Sequence, residues 1–293
     1  MNPQDTTTDP TNLLCHSGST GQAILHAPTD IADLRGLSWS RTIGSINTDG
    51  AYLKATNDDK SLYYKISSYN ASQGIYGHEA VNELLAYRVA EELGIDAPKT
   101  SLRKSLVLID GMEHETYVAV SESYKHEHET RVTFENLYKS AREKGEPALS
   151  VAIRFGWEVP VYTMFLFDFL IFNRDRHGAN LEVLEDNGVL RLSPLFDNGL
   201  SFAVSCHTDA ELVAFDVMEN RQVNNFIGTR SLYENLNSIS ATIKIRALRE
   251  DARERIFKGL DGILTPLHQD VAWNLLWGRW EYAKTVCDLR PES

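Results

Sequence analysis

The sequence predicts an α+β protein with a small β-rich N-terminal lobe and a larger helical C-terminal lobe. From Trp39 to about residue 122, apolar residues mostly alternate in short runs, which is the pattern of β-strands. Beyond that point most apolar residues recur at the three- and four-residue spacing of helices. A chain of 293 residues can bury the core that a two-lobed domain needs. We therefore expect an N-terminal tail and extension (1–38), an N-lobe (39–122) and a C-lobe (123–293).

The predicted N-lobe contains a strand pair, one helix and a second strand pair. The runs GAYLKA and SLYYKISSY are β-prone, and the turn-forming Asn57-Asp58-Asp59 lies between them. Helical spacing then extends from Ala80 to Val89, and Gly94 is expected to end this helix. The runs SLVLID and ETYVAVSES, separated by Gly111, predict the second pair of strands.

The predicted C-lobe contains a buried helix, a hairpin and an amphipathic C-terminal helix. The run VPVYTMFLFDFLIF has 14 residues and includes Asp168, so it is too short and too polar to span a membrane. The triplet Asp186-Asn187-Gly188 separates two β-prone runs, which is a strong hairpin signal. The segment DVAWNLLWGRWEYAKTV carries a tryptophan-rich face that we expect to pack into the core.

The composition limits the classes of function. A net charge of −12 opposes general nucleic-acid binding, because attraction to phosphates is the main sequence-independent contribution to such binding. The N-terminus lacks the basic and apolar segments of a secretory signal, so a cytoplasmic location is expected. Three cysteines (Cys15, Cys206 and Cys287) are far apart, which favours free thiols over a disulfide framework or a metal site.

A cluster of polar residues follows the predicted buried helix. In FNRDRHGANLEVLEDNGVLRLSPLFDNG, one loop contains Asp175, His177 and Asn180, and the predicted hairpin returns the chain so that Asp197 lies beside Asn180. A carboxylate and an amide oxygen suit Mg²⁺, which binds few protein groups together with nucleotide phosphates. Asp175 is then left to orient and deprotonate an attacking hydroxyl. This division of roles is what phosphoryl transfer requires.

These residues resemble a motif of the HipA-like serine/threonine kinases, a family that includes the smaller CtkA-like bacterial kinases. The family has an Asp-x-His-x-x-Asn catalytic loop, here Asp175 to Asn180, and a later metal-binding aspartate, here Asp197. The resemblance implies a protein-kinase-like two-lobed fold with ATP and Mg²⁺ in the cleft. It further implies that Asp175 is the base, that His177 supports the loop, and that Asn180 and Asp197 bind the metal.

A kinase of this kind also needs a lysine on a strand and a glutamate on the following helix. Lys65 lies in the strand run SLYYKIS and is expected to hold the α- and β-phosphates. Glu83 lies in the helix that resembles the corresponding family helix, and we expect it to hold Lys65. Glu79, one turn earlier on the same face, is the second choice.

The remaining nucleotide contacts are implied by the resemblance alone. The phosphate loop is expected in SINTDGAYLKA, where backbone N–H groups would face the triphosphate at Ser45, Gly50 and Ala51. Ser45 also matches a serine that is phosphorylated in HipA-like kinases. Adenine is expected to contact the connection between the lobes, including Val120 and Glu122.

The leading interpretation is therefore an ATP- and Mg²⁺-dependent kinase that phosphorylates serine or threonine in proteins, including itself. The Asp-Arg-His order is also similar to phosphatidylinositol kinases, which leaves a lipid or small-molecule acceptor as an alternative. Because the expected phosphate loop is poor in glycine, a nucleotide-binding regulatory module without turnover is a second alternative. A metal-dependent phosphoesterase built on Asp175, His177 and Asp197 would need no Lys65. A DNA-binding antitoxin-like partner has no support, because the chain is short compared with full-length HipA proteins.

Three charged residues near the loop each have two interpretations. Asp168 is either a functional buried carboxylate or a hydrogen-bonded residue on a partly exposed face, and we favour the second. Arg174 and Arg176 either balance the nearby acids or contact phosphate, or they lie on the solvated surface.

Overall fold

The computed structural model describes residues 31–43 and 51–290. Within them the N-lobe strands are β1 (Ala32–Asp33), β2 (Ser40–Ile43), β3 (Ala51–Thr56), β4 (Leu62–Asn70), β5 (Gly74–Ile75), β6 (Thr100–Ile109) and β7 (Met112–Glu122). The later strands are β8 (Thr130–Thr133), β9 (Asp175–Arg176), β10 (Glu182–Asp186), β11 (Val189–Leu192), β12 (Asn224–Asn225), β13 (Ile243–Lys244) and β14 (Leu289–Arg290). The helices are α1 (Glu79–Leu93), α2 (Phe134–Ala141), α3 (Ala148–Arg154), α4 (Glu158–Leu170), α5 (Asp209–Ala214), α6 (Leu232–Asn237), α7 (Ala252–Phe257) and α8 (Pro266–Val286), with a 3-10 turn at Gly178–Asn180.

The N-lobe is one twisted sheet with a helix packed on it. In the described residues the strand order is β1-β6-β7-β4-β3-β2, and β5 pairs with β4. The neighbours from β6 to β2 are antiparallel, whereas β1 runs parallel to β6. The predicted strands are therefore present. The sheet already includes Ala32 and Asp33, so part of the 1–38 extension belongs to this lobe.

Helix α1 joins the sheet to the C-lobe. It packs on β4, β6 and β7, and Leu84, Leu85 and Val89 on it are almost completely buried. The helix ends at Gly94, whose φ of 73° lies in the left-handed region that glycine adopts without a steric penalty. Both the predicted helix and its predicted end are confirmed.

Two tight turns follow from their sequences. Asp110-Gly111 joins β6 to β7, and Asn187-Gly188 joins β10 to β11. All four turn residues have positive φ, between 50° and 82°. Such paired left-handed conformations match the twist of two-residue hairpins, which explains the preference for Asn-Gly and Asp-Gly. The predicted hairpin at 186–188 is confirmed.

The C-lobe is built around α4. This helix packs against α3, α6 and α8, and its aromatic residues Phe165, Phe167 and Phe169 are at most 1% exposed. Trp273 and Trp280 of α8 are buried in the same core, as the amphipathic pattern predicted. Within the described ranges, no helix is both long and apolar enough to span a membrane. Cys206 and Cys287 are free thiols.

Candidate active site

An open cleft separates the β3, β4 and α1 elements from the loops of the C-lobe. Its lining brings together the six residues predicted for catalysis, metal binding and the lysine pair, which are Lys65, Glu83, Asp175, His177, Asn180 and Asp197. Residues separated by more than 100 positions in the chain therefore meet in one place. Their roles in binding and catalysis stay predictions.

Lys65 links the two lobes across this cleft. Its Nζ donates to Glu83 Oε1 at 2.6 Å and to Asp197 Oδ1 at 2.9 Å. Glu79 instead accepts a hydrogen bond of 2.7 Å from Ser68 Oγ. Of the two glutamates considered from the sequence, Glu83 is therefore the one that contacts Lys65.

A second lysine, Lys54, was not identified from the sequence. Its Nζ donates to Asp197 Oδ2 at 2.8 Å, so each carboxylate oxygen of Asp197 contacts one ammonium group. Lys54 lies directly opposite Lys65 in the β3–β4 register, and opposite residues project from the same face of a sheet. The sequence does show two lysines in adjacent predicted strands, which could have indicated Lys54. The register that places the two lysines opposite each other, however, depends on the tertiary structure.

The charges in this group stabilise one another. Burial by itself would raise the pKa of Asp197, but Lys65 and Lys54 outweigh it and hold that pKa far below its usual value. Burial would likewise lower the pKa of Lys65, but Asp197 and Glu83 raise it above normal. Asp197 is therefore a carboxylate and Lys65 an ammonium at neutral pH.

Helix α1 holds the segment that carries Asp197. The backbone N–H groups of Asn198 and Gly199 each donate to Glu83 at 3.1 Å, and Asn82 Nδ2 donates to the Gly199 carbonyl at 3.1 Å. A Cβ at position 199 would lie 3.2 Å from the Glu79 carbonyl oxygen, so a larger residue there would require a small shift of α1 or of this segment. Asp197 itself has a φ of 59°, a conformation that is uncommon outside glycine and is concentrated at functional sites.

The buried pair of Asp168 and Arg176 anchors the loop that contains Asp175, His177 and Asn180. The Arg176 Nη2 to Asp168 Oδ1 distance is 2.7 Å, and both side chains are 1% exposed. Arg176 also donates to the Phe196 carbonyl and to Asn198 Oδ1, which fixes the two residues beside Asp197. The favoured expectation of a partly exposed Asp168 is wrong, as is a surface position for Arg176, because the loop needs a satisfied internal anchor.

Asp175 is fixed by residues on both sides. Its Oδ1 accepts a hydrogen bond of 2.9 Å from Asn224 Nδ2, because β12 runs parallel to β9 and places Asn224 opposite Asp175. Its backbone N–H donates to Asn173 Oδ1 at 3.2 Å. Asn224 was missed from the sequence, since nothing local connects it to a residue 49 positions earlier.

His177 and Asn180 complete the loop. His177 Nδ1 accepts from the Ala179 N–H at 3.1 Å, and its Nε2 lies 3.8 Å from Asp175 Oδ2. Asn180 Nδ2 donates to the Asp175 carbonyl at 2.9 Å, which fixes the orientation of the amide. His177 thus makes a loop contact of the kind expected for a supporting residue.

The oxygen donors fit Mg²⁺ better than a transition metal. Asn180 and Asp197 both line the cleft and provide an amide oxygen and a carboxylate. Among the residues that the structure covers, no group of three or more His, Cys, Asp or Glu side chains is arranged to hold a metal. A small donor set suits a cation whose other ligands are nucleotide phosphates and water.

Two of the other predicted nucleotide contacts, Val120 and Glu122, do not line this cleft. Val120 is buried in the sheet core, and Glu122 pairs with Lys99 on the surface at 3.3 Å. Neither lines the cleft, and their assignment to adenine stays a prediction. Ser45 and Gly50 lie outside the described residues, while Ala51 is the first residue of β3.

Comparison with solved structures identifies the type of fold. The chain matches the Helicobacter pylori proinflammatory kinase CtkA with a TM-score of 0.53 and 16% identity, over 87% of this chain and 98% of that one. HipA of Shewanella oneidensis MR-1, solved with HipB and operator DNA, gives 0.42 and 15%, covering 85% and 69% of the chains. The golgi casein kinase gives 0.41 and 11%, covering 84% and 72%. No protein-family model and no curated protein sequence matches the chain. On the CtkA likeness and its own sheet and helix arrangement, the chain has a kinase-like two-lobed fold.

Proposed function

We propose that the protein is a serine/threonine kinase that uses ATP and Mg²⁺ to phosphorylate a protein. One observation carries this proposal: Lys65 contacts both the α1 glutamate and the Asp197 carboxylate, in a cleft that also contains Asp175 and Asn180. A lysine held in this way presents a fixed positive charge to nucleotide phosphates, as phosphoryl transfer requires. The HipA-like and CtkA-like motif supports the same assignment.

The chain's residues divide the work as follows. Asn180 and Asp197 would hold Mg²⁺, which when bound neutralises charge on the β- and γ-phosphates. Lys65 holds the phosphates, and Glu83 keeps the ammonium in place. Asp175, which Asn224 and Asn173 hold in place, accepts the proton of the attacking hydroxyl.

The alternatives agree less well with this geometry. A phosphoesterase would leave Lys65 without a role, although the lysine connects both lobes. A binding module without turnover would have no use for Asp175 held on two sides. A lipid acceptor is disfavoured by the net charge of −12, because anionic membrane surfaces attract basic segments. The proposed function involves no DNA-binding partner. A cytoplasmic location stays a prediction.

The test is phosphate transfer from radiolabelled ATP with Mg²⁺ to dephosphorylated casein. We expect Asp175→Asn to reduce the rate by about 10²- to 10⁴-fold, the usual contribution of a general base. Asp186→Asn, an exposed carboxylate in the hairpin, is the matched control and should leave the rate unchanged. Transfer to phosphatidylinositol vesicles but not to casein would establish the lipid alternative. Nucleotide binding without any transfer would establish the binding module.

A further inference from the structure

A second pocket adjoins the cleft and shares its two lysines. The lining of this outer pocket includes Ser38, Ser40, Thr56 and Tyr63, together with Lys54 and Lys65. The two lysines also line the cleft described above, so their side chains lie where the two spaces meet. A ligand with phosphates at the lysines can therefore extend from the cleft into the outer pocket.

Strand register places the outer pocket one step along the sheet from the lysine pair. Lys54 is opposite Lys65 and Thr56 is opposite Tyr63, so the two pairs follow each other on the same face of the sheet. Two residues of a strand span about 7 Å. Ser40, opposite Lys54 on β2, donates through Oγ to the Lys54 carbonyl at 2.9 Å. A nucleotide with its phosphates at the lysines would reach Thr56 and Tyr63 with its nucleoside.

Tyr63 provides an aromatic ring in this pocket. Its hydroxyl accepts a hydrogen bond of 3.4 Å from Arg131 Nη1, and Arg131 belongs to β8, outside the N-lobe sheet. Arg131 Nη1 in turn lies 3.7 Å from Glu182 Oε1. The ring is therefore held by residues of the C-lobe. Aromatic side chains bind nucleobases by stacking, which depends on the ring and tolerates different bases.

The connection between the lobes, where adenine was expected, is less suited to contact a base. Val120 is buried in the core face of the sheet. The backbone N–H of Glu122 donates to the Lys99 carbonyl at 3.0 Å, and that of Ser123 donates to the Ser61 carbonyl at 2.8 Å. Because these two backbone donors are engaged within the protein, side chains of the outer pocket are the better candidates for contacts to the base.

The uncharged polar groups of the outer pocket do not select one purine. Ser38, Thr56 and Tyr63 contribute hydroxyl groups, and a hydroxyl rotates to donate or to accept a hydrogen bond. Adenine presents an amino group where guanine presents a carbonyl oxygen, so a hydroxyl can bind either base. A backbone N–H, by contrast, can only donate.

We propose that the nucleoside of the phosphate donor binds in the outer pocket, with its base stacked on Tyr63, and that GTP is accepted as well as ATP. This proposal rests on the proposed function, because it takes Lys65 as the residue that holds the phosphates. The nucleotide is then divided between the two spaces, with its reacting phosphate in the cleft and its base in the outer pocket.

The experiment compares binding of ATP, GTP and inorganic tripolyphosphate, each with Mg²⁺, to the full chain by isothermal titration calorimetry. We expect the Kd values of ATP and GTP to lie within about tenfold of each other. Tyr63→Ala should weaken both nucleotides by about 5- to 100-fold, the usual loss of one stacking ring, and should leave tripolyphosphate binding unchanged. Tyr63→Phe keeps the ring and should keep most of the affinity. Tyr117→Ala, at a half-buried tyrosine of β7 that lines neither space, is the control.

Each part of the proposal has its own contrary result. GTP binding more than about tenfold weaker than ATP binding would overturn the acceptance of guanine. Nucleotide binding that Tyr63→Ala leaves unchanged, or that falls together with tripolyphosphate binding, would overturn the stacking on Tyr63. If the wild type still transfers phosphate from ATP to casein, the proposed function stands in either case. If the wild type binds neither nucleotide and transfers no phosphate, the proposed function fails and this proposal fails with it.

Discussion

Two groups of ion pairs meet beside Asp197 and differ in their surroundings. The cleft network consists of Lys54, Lys65, Glu83 and Asp197, and the scaffold pair consists of Asp168 and Arg176. In the cleft network the side chains of Lys65 and Asp197 are each 18% exposed, whereas both members of the scaffold pair are 1% exposed. Arg176 directs its donors at a carboxylate, a carbonyl and an amide oxygen. Lys54 and Lys65 contact carboxylates only, and at the edge of an open cleft.

This difference favours a structural role for the scaffold pair and, under the proposed function, a binding role for the cleft network. A planar guanidinium with satisfied donors fixes its neighbours and has little to gain from a ligand. A lysine ammonium that reaches solvent can exchange a carboxylate contact for a phosphate contact at low cost. We therefore expect carboxylate and cation pairs of similar composition to stabilise the fold in one place and, under the proposed function, to prepare a binding site in the other.

The largest effect is expected from breaking the scaffold pair. Asp168→Ala leaves Arg176 as a buried charge without its carboxylate, so the free energy of unfolding should fall by about 3–5 kcal/mol. Urea unfolding of the purified protein measures this change. Glu127→Ala, at an exposed carboxylate, should stay within about 0.5 kcal/mol of the wild type. A loss below about 1 kcal/mol for Asp168→Ala would remove the distinction between the two groups.

Removing Lys65 should instead affect activity more than stability. Lys65→Met deletes charge-assisted hydrogen bonds worth about 1–3 kcal/mol, while Asp197 keeps Lys54 and Glu83 keeps two backbone N–H donors. Phosphate transfer should fall by about 10²- to 10³-fold, because a preorganised charge at the phosphates is lost. Lys99→Met, which breaks a surface pair with Glu122, is the control. Full phosphate transfer by Lys65→Met would mean that Lys65 does not hold the phosphates, whereas phosphate-ester hydrolysis that is unchanged in this variant would favour the phosphoesterase alternative.

The cleft network should also show a specific dependence on pH. Because the folded-state pKa of Asp197 is lowered, its contribution to stability is present above its unfolded pKa of about 3.9 and is lost as the pH falls through the folded value. We therefore expect wild type to exceed Asp197→Asn by about 1–3 kcal/mol at pH 7, and the difference to shrink below about pH 4. Unfolding of both proteins from pH 7 to pH 3 measures it. A difference that stays constant over this range would mean that the carboxylate charge is not what stabilises the network.

The smallest effect is expected at Lys54. Its side chain is 33% exposed, so Lys54→Met should cost less than about 1 kcal/mol of stability. It should weaken binding of a fluorescent ATP analogue by about tenfold or less, the loss of one charge-assisted contact. An effect equal to that of Lys65→Met would mean that the two lysines contribute equally to nucleotide binding.

Much of the fold was predictable because its signals are local. Helix α1 follows from apolar spacing and from the left-handed conformation at Gly94, and the hairpins follow from Asp-Gly and Asn-Gly turns. The α4 helix follows from a continuous apolar run. The position of Ala32 and Asp33 in the sheet was not predicted, since a two-residue strand has no pattern of its own and depends on β6 as a partner.

In the candidate site too, some residues were predictable from local sequence and others were not. The spacing of Asp175, His177 and Asn180 places them in one loop whatever the rest of the chain does, and Glu83 follows from its position on α1. Lys54 and Asn224 belong to the candidate site only because strand register places them opposite residues of β4 and β9. The burial of Asp168 was misjudged because a single acidic residue in an apolar run does not reveal whether a distant cation reaches it.

The sequence by itself determined the main elements, their order and most of the polar residues proposed to carry the chemistry. Turn conformation, helix ends and apolar periodicity depend on neighbouring residues, and so a linear pattern contains them. The tertiary structure alone decided which charges are shared, since ion pairing depends on distances between segments far apart in the chain. It joined Lys65 to Asp197 and enclosed Arg176, because strand register and helix packing, rather than spacing, set those distances.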